Sequence, residues 1–198
     1  LSRKVLFRMT FRYFGYKDYS DILHLAKTTP EAFWQKRCSA VDEWLKPSRT
    51  EYEQKLHEHY NPANSTYFTL DVENDYFISL KYRGAFDSVE IDDKNCNAII
   101  IKSSPGNIEA PHYDLYGSYL GRDKTLEELK PDLDRVRRVW IPLQPWALGQ
   151  MLFCPEETLT KWGEFYMYEI PNNTLHGFVN ASDKIRYTLV LTGLRTCH

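Results

Sequence analysis

The stretch Leu175–Gly193, LHGFVNASDKIRYTLVLTG, consists of two runs rich in β-branched and aromatic residues, joined by the polar turn NASDK. Val, Ile, Thr, Tyr and Phe fit a pleated, half-buried surface, so the stretch reads as two successive strands. Working back along the chain, the same texture recurs in YFTLDV from Tyr67, DYFISLKY from Asp75, FDSVEI from Phe86, NAIIIKSS from Asn97, RVWIPLQ from Arg138, GQMLFC from Gly149 and GEFYMYEI from Gly163. Many short strands with no helical pattern between them argue against a parallel α/β sheet. They favour a two-sheet sandwich or barrel, for which the jelly roll is the common closed solution.

The first third differs. Phe33, Trp34, Val41, Trp44 and Leu45 recur at three-, four- and seven-residue spacings after Thr29-Pro30, a pair suited to an N-cap and first helical position, which predicts an amphipathic helix. Tyr19, Ile22, Leu23 and Leu25 predict a shorter helix before it, and Glu51–His59 a polar one after it. The expected organisation is one domain over residues 1–198, with 1–60 as helical support and 66–198 as the β core. NPANS at Asn61–Ser65 is the one obvious linker, and Gly121–Asp134, rich in Lys, Glu and Asp, reads as a long excursion between two strands.

Composition narrows the function classes. A net charge of −2 gives no global electrostatic reason to expect nucleic acid or an anionic membrane as partner. The one arginine cluster, Arg135, Arg137 and Arg138, is better read as a solvated edge or a set of carboxylate partners than as a phosphate site. Cys38, Cys96, Cys154 and Cys197 are too scattered for a CxxC metal site or a disulfide framework and are read as free thiols in a reducing compartment. No apolar stretch approaches a membrane span, and LSRKVLFRMTFRYF lacks the features of a signal peptide, so the expected localisation is cytoplasmic. Asn64, Asn172 and Asn180 each begin an Asn-x-Ser/Thr triplet, to which little weight attaches in that compartment.

The chemistry is concentrated in His112-Tyr113-Asp114 and in His176 with Arg186-Tyr187-Thr188 ten residues later. Alternation along a strand puts residues i and i+2 on one face, so His112 and Asp114 point into a barrel together. With His176 they make two imidazoles and a carboxylate, the facial triad of non-haem iron sites. By the same alternation Arg186 and Thr188 share a face, offering a guanidinium fork and a hydroxyl to a carboxylate such as the distal one of 2-oxoglutarate. An HxD triplet alone is weak, with roughly 0.4 occurrences expected by chance at this composition. Adding the later His, the Arg about ten residues beyond it and the hydroxyl two further lowers that to about one in fifty to one in a hundred. His24, His57 and His59 are read as ordinary histidines.

On HYD at His112–Asp114, RRVWIPLQ at Arg137–Gln144, WGE at Trp162–Glu164, LHGFVNAS and IRYTLVLTG, the span Asn97–Gly193 resembles the Fe(II)- and 2-oxoglutarate-dependent oxygenases. Within them it resembles the aspartyl/asparaginyl β-hydroxylase-like and prolyl-hydroxylase-like branches. The resemblance implies an α+β, mostly β fold: a double-stranded β-helix (jelly roll, cupin-like) with the N-terminal helices packed on one sheet. It implies Fe(II) on His112, Asp114 and His176, and 2-oxoglutarate on Arg186 with help from Thr188. Trp140 and Arg138 would stand in the same cofactor pocket, although core packing serves Trp140 equally well. The partners implied are 2-oxoglutarate, O2 and an amino-acid, peptide or small-molecule substrate, with ascorbate as a reductant. Asp114 sets the chain apart from animal aspartyl hydroxylases, which lack that metal-binding carboxylate, so a peptide-aspartate substrate does not carry over. Tyr113, Tyr116 and Tyr119 flank the site. The competing expectation is a non-catalytic cupin-like module that binds a metal or ligand. A zinc hydrolase fits less well, because HxD spacing without a nearby general base departs from zincin patterns.

Overall fold

The computed structural model describes residues 11–36, 65–112, 114, 116–120, 128, 130–155, 157–172 and 174–196. Among the described residues, eleven strands lie in two antiparallel sheets, the jelly-roll architecture expected. The larger sheet comprises β1 (Arg12–Tyr16), β2 (Gln35–Lys36), β3 (Ser65–Leu70), β4 (Ile91–Ser103), β6 (Val136–Pro142), β9 (Tyr166–Glu169) and β11 (Arg186–Arg195), ordered β1-β9-β6-β11-β4-β3-β2. The smaller comprises β5 (Asn107–His112), β7 (Gln150–Phe153), β8 (Thr158–Leu159) and β10 (His176–Asn180), ordered β5-β10-β7-β8.

The central strand β11 shows why the sheets stack. Tyr187, Leu189 and Leu191 point to the outer face, where they join Ile22 and Ala26 of helix α1 (Ser20–Thr28) and Phe77 and Leu80 of helix α2 (Asp75–Tyr82) in one buried cluster. Val190 points the other way, with Trp140, Leu152 and Phe178, into the core between the sheets. Strict alternation thus builds two apolar layers, and each fully buried Leu or Phe in them contributes about 1.5–3 kcal/mol.

Three sequence expectations change here. DYFISLKY is helix α2 rather than a strand: Asn74 caps it by accepting from the Tyr76 amide at 2.9 Å, and the buried pair Phe77 and Leu80 is spaced by three. FDSVEI does not run as a strand either. Asp87–Val89 form a single 3-10 turn, and left-handed Glu90 (φ 56°) then feeds β4. The helix expected after Thr29-Pro30 is a 3-10 turn over Glu31–Phe33 followed by β2, because Trp34 packs on Phe68 and Tyr187 and its indole donates to the Thr29 carbonyl at 3.2 Å. That helix beyond Lys36, the one at Glu51–His59, the NPANS linker, most of the Gly121–Asp134 excursion, Cys38 and Cys197 lie outside the described residues. Cys96 is a free thiol. Among the described residues no helix is long and apolar enough to cross a membrane.

The hairpin from β10 to β11 is held by Asn180, which is fully buried. Its amide nitrogen donates to the carbonyls of Ser103, Ser104 and Lys184, and its oxygen accepts from Ser182 and Gln150. An amide so committed is a structural hub and no glycosylation acceptor. Gly149 (φ 94°) completes the corner, since a Cβ there would lie 2.8 Å from the Ala181 backbone.

Candidate metal and co-substrate centre

β5 and β10 pair so that His112 and His176 stand directly opposite each other, with ring centroids 4.6 Å apart. The strand ends at His112, so Asp114 reaches the site from just beyond β5 rather than from within it, as strict alternation had implied. The outcome is the same constellation: ligand atoms of His112, Asp114 and His176 all lie within 4.8 Å of one another. Asp114 Oδ2 is 3.3 Å from His176 Nε2, and Asp114 Oδ1 is 3.9 Å from His112 Nε2.

The surroundings set protonation. His176 Nδ1 lies 3.0 Å from the Thr174 carbonyl, which can only accept, so Nδ1 carries the hydrogen and neutral His176 offers its Nε2 lone pair inward. Burial pushes the Asp114 carboxyl up, but the Arg138 guanidinium and the two imidazoles outweigh it and hold the group well below the usual carboxylate range. Burial likewise opposes a charged His176, and Asp114 reverses the balance, raising its pKa. A carboxylate ionised at neutral pH beside two imidazoles is the donor set a divalent cation requires, so these residues fit a bound Fe(II).

Arg138, expected in the cofactor pocket, lies beside the His-Asp-His cluster. Its Nη1 is 2.6 Å from Asp114 Oδ1, so it orients the carboxylate instead of facing a co-substrate. Neighbouring Arg137 points to the opposite face, pairing with Glu169 at 3.1 Å and with Glu90, and exposed Arg135 approaches Asp132 at 3.4 Å. The arginine run is thus a set of carboxylate partners. Trp140 stands in the inter-sheet core against Trp162 and Tyr168, with the Arg186 guanidinium 5.4 Å from its ring. It is a core residue on which the Arg186 guanidinium lies.

Arg186 and Thr188 do share the inner face of β11, across the sandwich from the triad strands. Arg186 is 3% exposed and lies over the rings of Phe178 and Trp140. Its Nε and Nη1, and the hydroxyl of fully buried Thr188, have no hydrogen-bond partner. Burial drives the Arg186 pKa well below its ordinary value, with Glu109 opposing at a distance. A buried cation with unmet donors is costly unless an anion meets it.

One contributor, Glu109, escaped the sequence, and Tyr116, named there only as flanking the site, makes a direct contact. Glu109 lies 3.7 Å from His112 through Oε1, although odd spacing in a regular strand would put the two on opposite faces. The register shift between His176 and Phe178 brings them together, and no sequence signal announces it. Tyr116, buried and held at φ 51°, donates its phenolic hydrogen to Asp114 Oδ2 at 3.4 Å. Tyr119 turns away, donating to the Thr192 carbonyl, and Tyr113 is outside the described residues.

Fold and site together define a jelly-roll protein with a His-Asp-His cluster on its small sheet and a buried guanidinium on its large one. No family model and no curated protein matches the chain. Among solved structures it is similar to a cupin-superfamily sugar phosphate isomerase from Silicibacter pomeroyi, with 12% identity over 67% of this chain and 60% of that one at a TM-score of 0.39. It is similar also to the Cnp3 cupin domain of Schizosaccharomyces pombe, with 7% identity over 66% and 65% of the chains and a TM-score of 0.39. A third is KdgF from a Halomonas species, with 11% identity over 67% and 80% and a TM-score of 0.39. The matched region therefore spans less than two thirds of the first two of these proteins.

Proposed function

We propose that the protein is a non-haem Fe(II)- and 2-oxoglutarate-dependent dioxygenase that hydroxylates an amino-acid side chain or small molecule. The observation that carries this reading is Arg186, a buried guanidinium with unpartnered donors beside the unpartnered Thr188 hydroxyl, facing a His-Asp-His cluster. A metal-binding module has no use for that pair, whereas a co-substrate carboxylate would offer these donors an acceptor.

In this reading His112, Asp114 and His176 hold the iron. When bound, iron and 2-oxoglutarate supply the oxidising chemistry, consuming O2 and releasing succinate and CO2. The protein supplies position. Arg186 takes the distal carboxylate in a two-pronged fork and Thr188 adds one hydrogen bond. Phe178 and Trp140 cover the guanidinium and exclude water, which strengthens both interactions. Arg138 and Tyr116 fix the plane of the Asp114 carboxylate.

The second reading, a cupin-like binding module, has one specific support: Arg138 already neutralises Asp114, so the cluster is electrostatically closed without a metal. Titrating 2-oxoglutarate into the anaerobic Fe(II) protein separates the two. The oxygenase should develop the charge-transfer absorption of an iron-chelated 2-oxo acid, and Arg186→Met should lose it while retaining iron. A wild type with no such band, or an Arg186→Met variant that binds 2-oxoglutarate normally, would leave the module as the correct reading.

A further inference from the structure

The inner face of the large sheet continues past the edge of the small sheet at β1 and β9, and there the side chains are tyrosines. Tyr13 and Tyr16 stand opposite Tyr168 and Tyr166 in the β1–β9 register. Tyr13, Tyr16 and Tyr166 are 49%, 56% and 38% exposed, while Tyr168 and Trp140 are buried. Ring centroids are 6.0 Å apart for Trp140 and Tyr168, 5.7 Å for Tyr168 and Tyr13, 5.3 Å for Tyr13 and Tyr166, and 6.1 Å for Tyr166 and Tyr16. At the inner end the Arg186 guanidinium lies 5.4 Å from the Trp140 ring. A file of touching rings thus runs from the co-substrate pocket to solvent.

We propose that this file is a one-electron relay, which discharges the metal centre when it becomes oxidised with no substrate in place. The source of the oxidant rests on the oxygenase reading; the path is a property of the chain alone. Packing does not account for its composition. Every ring in the file is Trp or Tyr, the aromatic side chains that surrender an electron, whereas in the outer cluster such rings are interrupted by phenylalanines, as at Trp34–Phe68, Tyr19–Phe165 and Phe77–Phe86. Nor does packing account for the outer end, where large rings stay in water instead of being buried.

The electron count closes as follows. Trp140 would give one electron to the oxidised centre, leaving an indole radical cation. A tyrosine refills the indole and sheds its phenolic proton. Burial, with the neighbouring Tyr13 and Tyr166 phenols, pushes the Tyr168 pKa up to about 12, so its oxidation requires a proton to leave. Water at Tyr13, Tyr16 and Tyr166 accepts that proton most readily, which draws the radical outward. A reductant in solution, ascorbate or a thiol, then returns one electron, and water returns the proton. The centre gains an electron, the reductant loses one and the chain is unchanged.

Pulse radiolysis of the metal-free protein tests the path, using azidyl radicals, which oxidise indole in preference to phenol. The Trp34→Phe background removes the competing contact in which Trp34 and Tyr187 rings lie 5.9 Å apart. In that background the indole radical should decay by a first-order, concentration-independent phase matched by growth of phenoxyl absorption. Trp140→Phe should abolish that phase, and the exposed substitution Tyr13→Phe should slow it, with circular dichroism confirming folding. Absence of the phase in the background, or its persistence at unchanged rate in Trp140→Phe, would overturn the relay. A second arm exposes the iron-loaded protein to O2 and 2-oxoglutarate without substrate, followed by peptide mass spectrometry. Oxidation should appear on Tyr13, Tyr16 or Tyr166 in wild type and shift to residues lining the site in Trp140→Phe; the same oxidation pattern in both would overturn the relay. If 2-oxoglutarate is not consumed at all, the oxygenase reading fails by itself, and radiolysis alone then decides the path.

Discussion

In the oxygenase reading Asp114 serves two cations, the Arg138 guanidinium and the metal. Oδ1 is held by Arg138 at 2.6 Å and Oδ2 faces His176 at 3.3 Å, so an arriving metal finds the carboxylate already ionised and oriented. Asp114→Ala should therefore cost metal affinity severely. By leaving Arg138 without its counter-ion in a partly buried place it should also cost about 3 kcal/mol of stability, measurable by urea unfolding. Thr188→Ala removes one hydrogen bond to the co-substrate and should weaken 2-oxoglutarate binding by about 1 kcal/mol in the anaerobic titration. At this scale the shared face of Arg186 and Thr188 was legible because strand alternation is a two-residue rule that sequence spacing displays directly, whereas the convergence of His112, Asp114 and His176 was signalled by residue type and not by alternation, since β5 ends at His112. Glu109 was not legible, since its approach to His112 depends on a register shift. The role of Arg138 was hidden too: spacing shows which face a side chain takes, and not which charge it meets there.

Among the elements, β10 carries the tightest constraint. It places His176 at one end and the Asn180 hub at the other, with Gly177 pressed between its neighbours. A Cβ at Gly177 would lie 2.4 Å from Phe153 Cζ and 2.8 Å from the Glu109 carbonyl. Gly177→Ala should therefore push β5 and β7 away from β10, lowering stability by about 1–3 kcal/mol. Metal affinity should fall with it, because the His112–His176 pair spans that same seam. Unchanged metal binding by calorimetry in a folded Gly177→Ala protein would contradict this account. Strands β3, β4, β6, β7, β9, β10 and β11 were legible in their runs of β-branched and aromatic side chains, whereas β5 (NIEAPH) and the two-residue β8 lack such a run and were not among the strands read. DYFISLKY has the same composition, and only the Asn74 cap and the spacing of Phe77 and Leu80 mark it as helix. Where a short segment is apolar on every side, composition cannot separate the two periods, and the terminal hydrogen bond decides.

Across the whole molecule, an ionic network closes the large sheet on its outer side. Arg137 is buried between Glu169 and Glu90, Arg195 joins Glu169 at 2.6 Å, and Arg12 of the edge strand joins Glu90 at 2.9 Å. Hydrogen bonds from Arg137 and Arg12 lower the Glu90 pKa from 4.5 to about 2. A depressed carboxyl stabilises the fold above its unfolded pKa and loses that contribution as pH falls through the folded one. Wild type should then be more stable than Glu90→Gln at neutral pH, with the gap narrowing as pH drops from 4.5 to about 2. A constant gap in urea melts across that window would refute the linkage. The division of the centre between the sheets has a consequence for the molecule's mechanics. All three proposed metal ligands stand on or beside strands of the small sheet and the proposed carboxylate fork on the large one, so in the oxygenase reading metal and 2-oxoglutarate together would act as a rivet through the sandwich. Each ligand should raise the melting temperature alone, and the pair should raise it by more than the sum, because the second meets a gap already closed by the first. Amide hydrogen exchange should slow on facing strands β10 and β11 only when both are bound, making occupancy readable as a change in how readily the two layers breathe apart.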